Sequence, residues 1–145
     1  MRNRFIDFWI IVALCYAVIG ISIIRAEEPL LKKALVMVNE GRAEEAIGML
    51  NQELQNSPPT PDTHLGLGVA YLQKGDLAGA RASLEKAVAL KSDSVPAHYT
   101  LAMLFEKQRD YRRAVEEWRK VLQYTDDRGL KDLATKHIQQ LGSGQ

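Results

Sequence analysis

Two kinds of hydrophobic patterning follow one another along this chain. From Phe8 to Ile24 the residues are almost all apolar, and starting at Phe5 extends the run to residues 5–24 with Asp7 near its edge. At about 1.5 Å of rise per residue, a helix of that length covers roughly 26 to 30 Å, close to the hydrocarbon thickness of a bilayer. Beyond Pro29 the apolar residues instead recur every three or four positions, the spacing of amphipathic helices. Gly41, Pro58-Pro59, Pro61, Gly75 and Pro96 punctuate that part of the chain, each where a helix would end or begin. The pattern predicts one membrane-spanning helix followed by a string of short helices.

The short helices repeat. A register of 34 residues aligns residues 27–60, 61–94 and 95–128 without gaps. In the second segment Leu67-Gly68-Val69-Ala70-Tyr71 is followed by Gly75-Asp76-Leu77, Ala80, Leu84 and Ala87. The third carries Leu101-Ala102, Phe105, Asp110-Tyr111, Ala114 and Trp118 at the same positions, and the first carries Gly41, Ala46, Leu50 and Pro58, with Met37 in place of the aromatic. Small residues at Gly68 or Ala102 and at Ala80 or Ala114 let two helices approach, while Tyr71, Leu84, Phe105 and Trp118 fill the remaining volume. Gly41 and Gly75 suit left-handed turns between helices, whereas Arg109 occupies that position in the third segment and implies strain or a different turn. After Arg128, Leu130, Leu133, Ala134, Ile138 and Leu141 form one apolar stripe, which predicts a last amphipathic helix over residues 129–141.

In order and spacing these residues resemble the tetratricopeptide repeat, over about 102 of the 145 residues. The resemblance implies an all-α fold: a right-handed superhelical array of three helical hairpins with a C-terminal capping helix, occupying residues 26–145 behind the N-terminal segment, residues 1–25. It also implies a concave groove lined by the first helix of each hairpin. Carried onto this chain, the groove positions that bear on binding are Leu31, Leu35, Val38, Leu65, Val69, Leu72, Tyr99, Met103, Glu106 and Lys107. Its centre is apolar and its ends polar, which suits an amphipathic helix or an extended apolar segment of a protein partner. Members of the family that clamp a terminal carboxylate place basic and amide side chains where Leu31, Leu35, Gly66 and Thr100 stand here, so that mode is disfavoured.

For the N-terminal segment the alternatives are a retained membrane helix, a cleaved signal peptide and a buried cytosolic helix. A cleavage site at Ile24-Arg25-Ala26 would have a bulky residue and a charge where small residues are wanted, and Leu14 before Cys15 disfavours a lipoprotein signal. Arg2 and Arg4 precede the run, and Arg25, Lys32 and Lys33 follow it. A short arginine-bearing tail predicts a signal anchor of a single-pass inner (cell) membrane protein, with a cytoplasmic N-terminus and a repeat domain that is periplasmic or otherwise outside the cytoplasm. Ala13, Ala17 and Gly20 share one helical face, where another transmembrane helix can approach closely.

Charge and candidate chemistry change this picture little. From Ala26 onward the chain holds 16 basic and 17 acidic residues, so no field attracts nucleic acid. Arg112 with Glu116, Arg113 with Glu117 and Glu116 with Lys120 are spaced to pair along one helix, which reads as a solvated, self-compensated face. Cys15, the single cysteine, lies in the apolar run, leaving no disulfide or cysteine metal site for the repeats. His64 and His98 lie 34 residues apart, too distant on stacked helices to share a metal ion, and are expected as packing histidines; His137 is expected at the surface. No catalytic, cofactor or metal motif is present, and neither a small-molecule substrate nor a nucleic acid is expected. The functional expectation is a membrane-anchored interaction module, a scaffold or assembly factor. The alternative is a permanent subunit of a larger membrane complex held through its transmembrane helix. Small anchored members of the family accompany cytochrome maturation, respiratory complexes, pilus or secretion assemblies.

Overall fold

A computed structural model describes residues 29–142, and residues 1–28 and 143–145, including the apolar run with Ala13, Ala17 and Gly20, lie outside the described residues. The described residues form seven α-helices: α1 (Leu30–Asn39), α2 (Ala43–Asn56), α3 (Pro61–Lys74), α4 (Leu77–Leu90), α5 (Val95–Lys107), α6 (Tyr111–Tyr124) and α7 (Arg128–Gly142). None of them is long and apolar enough to cross a membrane.

Local chemistry repeats every 34 residues. Gly41, Gly75 and Arg109 end α1, α3 and α5 with φ of 79°, 86° and 58°. Each is followed by a residue whose N–H closes the turn: Arg42 to Met37 O at 2.8 Å, Asp76 to Tyr71 O at 2.9 Å, Asp110 to Phe105 O at 2.8 Å. Asp76 and Asp110 then cap the next helices, their carboxylates accepting from Gly79 N at 2.9 Å and Arg113 N at 3.1 Å. Thr60 caps α3 through a 3.1 Å bond from Thr63 N, with Pro61 in the first turn where its missing N–H costs nothing. Asp127 caps α7 by accepting from Leu130 N at 2.8 Å. Ser57 leaves α2 extended just before Pro58-Pro59, which cannot continue the helix.

Consecutive helices pair as α1–α2, α3–α4 and α5–α6, and α7 packs on α6. The first helices touch one another, α1 against α3 and α3 against α5, whereas α2, α4 and α6 make no such contacts among themselves. A stack that is closer on one side must curve, so α1, α3 and α5 form its inner side. Three clusters make the core. One joins α1, α2 and α3 around Ala34, Ala46, Leu50, Leu67 and Ala70; one joins α3 to α6 around Leu84, Ala87, Leu101 and Leu104; the third joins Ala102, Trp118, Val121 and Ala134. Trp118, Leu50, Leu84, Leu104 and Val121 are the largest wholly buried side chains, each contributing about 1.5 to 3 kcal/mol by leaving water. Small residues allow the close approach: a Cβ at Gly68 would lie 2.5 Å from Leu84 Cγ, and one at Gly66 would lie 3.1 Å from Leu50 Cδ1.

Candidate functional site

Leu35, Val69 and Met103 occupy the same register position on α1, α3 and α5, and all three reach the surface of the inner side, Met103 to 40 % exposure. Leu31 and Leu72 are half-buried beside them, packed against the core that contains Leu65. Asn39, Gln73 and Lys107 form a parallel exposed polar row. Two of the residues read from the sequence as groove positions lie beneath this surface. Val38 and Leu65 are buried to 5 % and 6 % exposure, the floor rather than the lining, because the side chains of α1 and α3 turn inward there to close the helix–helix contact.

The third hairpin end of the same side is polar and already bonded internally. Glu106 accepts from Trp118 Nε1 and lies 2.8 Å from His137 Nδ1, tying α5, α6 and α7 together. Tyr99 meets Trp118 edge to face at 5.2 Å, and His137 stacks on Trp118 at 4.5 Å. His137 is therefore not a plain surface residue, as its isolated position in sequence suggested, but a half-buried contact of α7. Spacing within one helix does not show a bond to Glu106, which lies 31 residues earlier in the chain.

The other two histidines are buried, as packing roles require. His98 Nδ1 lies 2.7 Å from Glu117 Oε2 and Nε2 lies 2.9 Å from the Ser92 carbonyl, while Tyr124 stacks on its ring at 5.6 Å. A carbonyl only accepts and a carboxylate only accepts, so both ring nitrogens donate and the geometry is that of an imidazolium. Burial alone would lower its pKa, but the bonds His98 donates to Glu117 and to the Ser92 carbonyl outweigh that and hold it above the usual histidine value. His64 has no such partner; burial, then the charge of Lys86, push it below the usual value. Among the described residues no group of histidines, cysteines and carboxylates is arranged to hold a metal ion.

The basic face on α6 pairs differently from the spacing rule. Arg112 stands 3.7 Å from Glu116, a loose exposed contact, but Arg113 turns back to Asp110 at 2.6 Å and lies over the Phe105 ring at 4.4 Å. Glu117 is taken by His98 instead, because a buried imidazolium needs its carboxylate more than an exposed guanidinium does. A shallow depression on the outer side, lined by Leu77, Ala78, Arg81, Ala82, Glu85 and Gln108, brings together no set of convergent titratable groups, since Arg81 and Glu85 already pair at 2.6 Å.

Comparison with known proteins agrees with this architecture. Two sequence models described as Tetratricopeptide repeat match residues 31–95 and 71–136, together nearly all of the helical array. The chain is a tetratricopeptide-repeat protein. It is 38 % identical over 61 residues to the type IV pilus assembly protein PilF of Pseudomonas aeruginosa, a stretch covering 42 % of this chain and 24 % of that protein. It is 44 % identical over 62 residues to the cellulose synthase operon protein C of Escherichia coli K12, covering 43 % of this chain and 5 % of that one. The chain thus spans only a minor part of the length of these relatives. In three dimensions it resembles the first tetratricopeptide domain of Spaghetti (RPAP3), solved bound to an HSP90 peptide, with a TM-score of 0.69 at 19 % identity over 79 % of this chain and 89 % of that one. MamA gives 0.62 at 20 % identity, over 79 % of this chain and 75 % of the other.

Proposed function

We propose that the protein is an interaction module that captures an apolar segment of a protein partner along the inner side of its repeat array, next to a membrane to which residues 5–24 anchor it. The observation that carries the reading is the row Leu35, Val69 and Met103, in which three successive inner helices present an apolar side chain at the surface at one register position. Interior repeats bury apolar side chains wherever a neighbour is available, so a retained apolar row on the open side points to a partner that covers it. Such a partner would bury three or four anchors at about 1.5 to 3 kcal/mol each before association costs. Flanking Asn39, Gln73 and Lys107 would orient it by hydrogen bonds at the rim.

PilF is named for type IV pilus assembly, and the stretch shared with it favours an assembly role here as well. The apolar run, the short tail with Arg2 and Arg4, and only Arg25 to Pro29 before α1 support an anchored domain outside the cytoplasm, held close to the bilayer.

The test is co-purification of the full chain from its native membranes. Met103→Glu and Val69→Glu are expected to lose the partner while keeping helical circular dichroism and a cooperative melt, because each places an unpaired charge in an apolar contact. Glu85→Lys, on the outer side, is expected to retain it. Retention by both groove variants, together with release on changing Ala13, Ala17 or Gly20, would instead establish a permanent subunit held through its transmembrane helix.

A further inference from the structure

Each inner helix has one face turned toward the hairpin before it, and the 34-residue register shows what that face requires. Leu67 and Ala70 of α3 cluster with Ala46 and Leu50 of α2, and Leu101 and Leu104 of α5 cluster with Leu84 and Ala87 of α4. The equivalent positions on α1 are Lys33 and Val36. Val36 is 46 % exposed where Ala70 and Leu104 are wholly buried, and Lys33 is exposed where Leu67 and Leu101 are buried. Leu30, one turn earlier, is half-buried and packs against the cluster around Ala34 and Leu50. The array therefore begins with an uncovered face on which Val36 stands exposed beside Lys33.

We propose that this face of α1, centred on Lys33 and Val36, rests on the headgroup layer of the lipid bilayer. The inference depends on the reading above that residues 5–24 span the membrane. Only five residues lie between Ile24 and Leu30, and a chain extends at most about 3.3 to 3.6 Å per residue, so the start of α1 stays within roughly 20 Å of the end of the span. The headgroup layer itself is about 5 to 8 Å thick and a helix is about 10 to 12 Å across, so the first turn of α1 lies in the interface or within about one helix diameter of it.

Lys33 decides between the possible occupants. A further helix continuing the array would bury this position in a dry core, where an unpaired ammonium is costly. In a two-fold contact with a second copy centred on this face, Lys33 would meet Lys33. At a bilayer surface the same side chain lays its methylenes beside Val36 and reaches lipid phosphate with its ammonium, while Val36 enters shallowly. Around it Arg25, Lys32 and Lys33 are nearly balanced by Glu27 and Glu28, and Glu40 at the end of α1 is taken by Arg42 at 3.0 Å. The short tether rather than bulk charge thus brings the face to the lipid.

The experiment uses the full chain with Cys15→Ser, reconstituted in vesicles of phosphatidylcholine and phosphatidylglycerol, with a bimane fluorophore on Val36→Cys, on Ala82→Cys at the exposed surface of α4, or on Val18→Cys in the apolar run. Headgroup spin-labelled lipid is expected to quench position 36 roughly threefold more than position 82, as shallow interfacial burial requires. Lys33→Glu is expected to remove most of that difference and Lys33→Arg to keep it. Quenching of Val18→Cys by acyl-chain spin label without quenching at position 36 overturns the inference and leaves the anchor standing. Absence of quenching at both positions overturns the anchor and the inference together. An unquenched position 36, together with disulfide-linked dimers when unlabelled Val36→Cys is oxidised, would assign the face to a second copy instead.

Discussion

At the scale of single residues, the most informative positions are those where one register site holds different chemistry in different repeats. Arg109 adopts φ of 58° at the turn where Gly41 and Gly75 adopt 79° and 86°. A side chain in the left-handed region costs about 1 to 2 kcal/mol, and glycine's extra freedom in the unfolded chain returns about 0.5 to 1 of that. Arg109→Gly is therefore expected to stabilise a chain starting at Ala26 by about 0.5 to 1 kcal/mol, read as a raised urea midpoint with unchanged slope. The histidines at 64 and 98 differ more sharply. His98, with its pKa raised, contributes stability that is complete below the unfolded value of about 6.5 and is lost as pH rises through the higher folded value. His64, with its pKa lowered, contributes the reverse: its share is present above about 6.5 and is lost as pH falls through the lower folded value. Urea midpoints from pH 5 to 8 are expected to lose their alkaline decline in His98→Gln and their acid decline in His64→Gln. Glu117→Gln is expected to cost about 1 to 3 kcal/mol near pH 6, where it strips the buried imidazolium of its counter-charge, and less at pH 8.

At the scale of helices, the sequence was most readable where packing is periodic. Ala80 and Ala114 are wholly buried at the second-helix position where the 34-residue spacing predicts small residues, and the Ala80 backbone lies beside Gly68. Replacing either alanine by leucine is expected to cost about 1 to 3 kcal/mol by overpacking, while Ala82→Leu or Ala89→Leu on the exposed side of α4 should change stability by less than about 0.5 kcal/mol. Thermal unfolding of each variant measures this. Contacts that cross the register were not readable in the same way. Glu117 is four residues from Arg113 yet bonds His98, 19 residues earlier, because burial raises the value of a charged partner above that of a local exposed one. Glu106 reads as a groove rim residue until α7 returns and places His137 and Trp118 on it. Val38 and Leu65 show the same limit. Register assigns a residue to a helix side within about a turn, but the curvature and depth of the groove, set by how α1 and α3 meet, decide whether that side chain lines it or lies beneath.

At the scale of the whole molecule, the array has two unlike ends. At one, α7 covers α6 and completes a cluster of Ala102, Trp118, Val121 and Ala134, joined by Ile138 and Leu141. At the other, α1 has ten residues, no side-chain cap and no acidic residue within its first turn, and Val36 open to solvent. A stack in which each repeat touches only its neighbours opens from the end that has the weakest interface. Hydrogen exchange on a chain starting at Ala26 is therefore expected to show the amides of α1 exchanging first and those of α4, α5 and α6 last. The last group should approach the free energy of global unfolding, since their clusters include Leu84, Leu104 and Trp118, buried from both sides. Uniform protection across all seven helices would mean that α1 is held by more than its contacts with α2 and α3, and faster exchange in α7 than in α1 would reverse that polarity. Because Leu31 and Leu35 of the proposed groove belong to α1, occupation of that groove should slow α1 exchange most, so the same measurement with and without a bound partner connects the weak end of the array to its binding side.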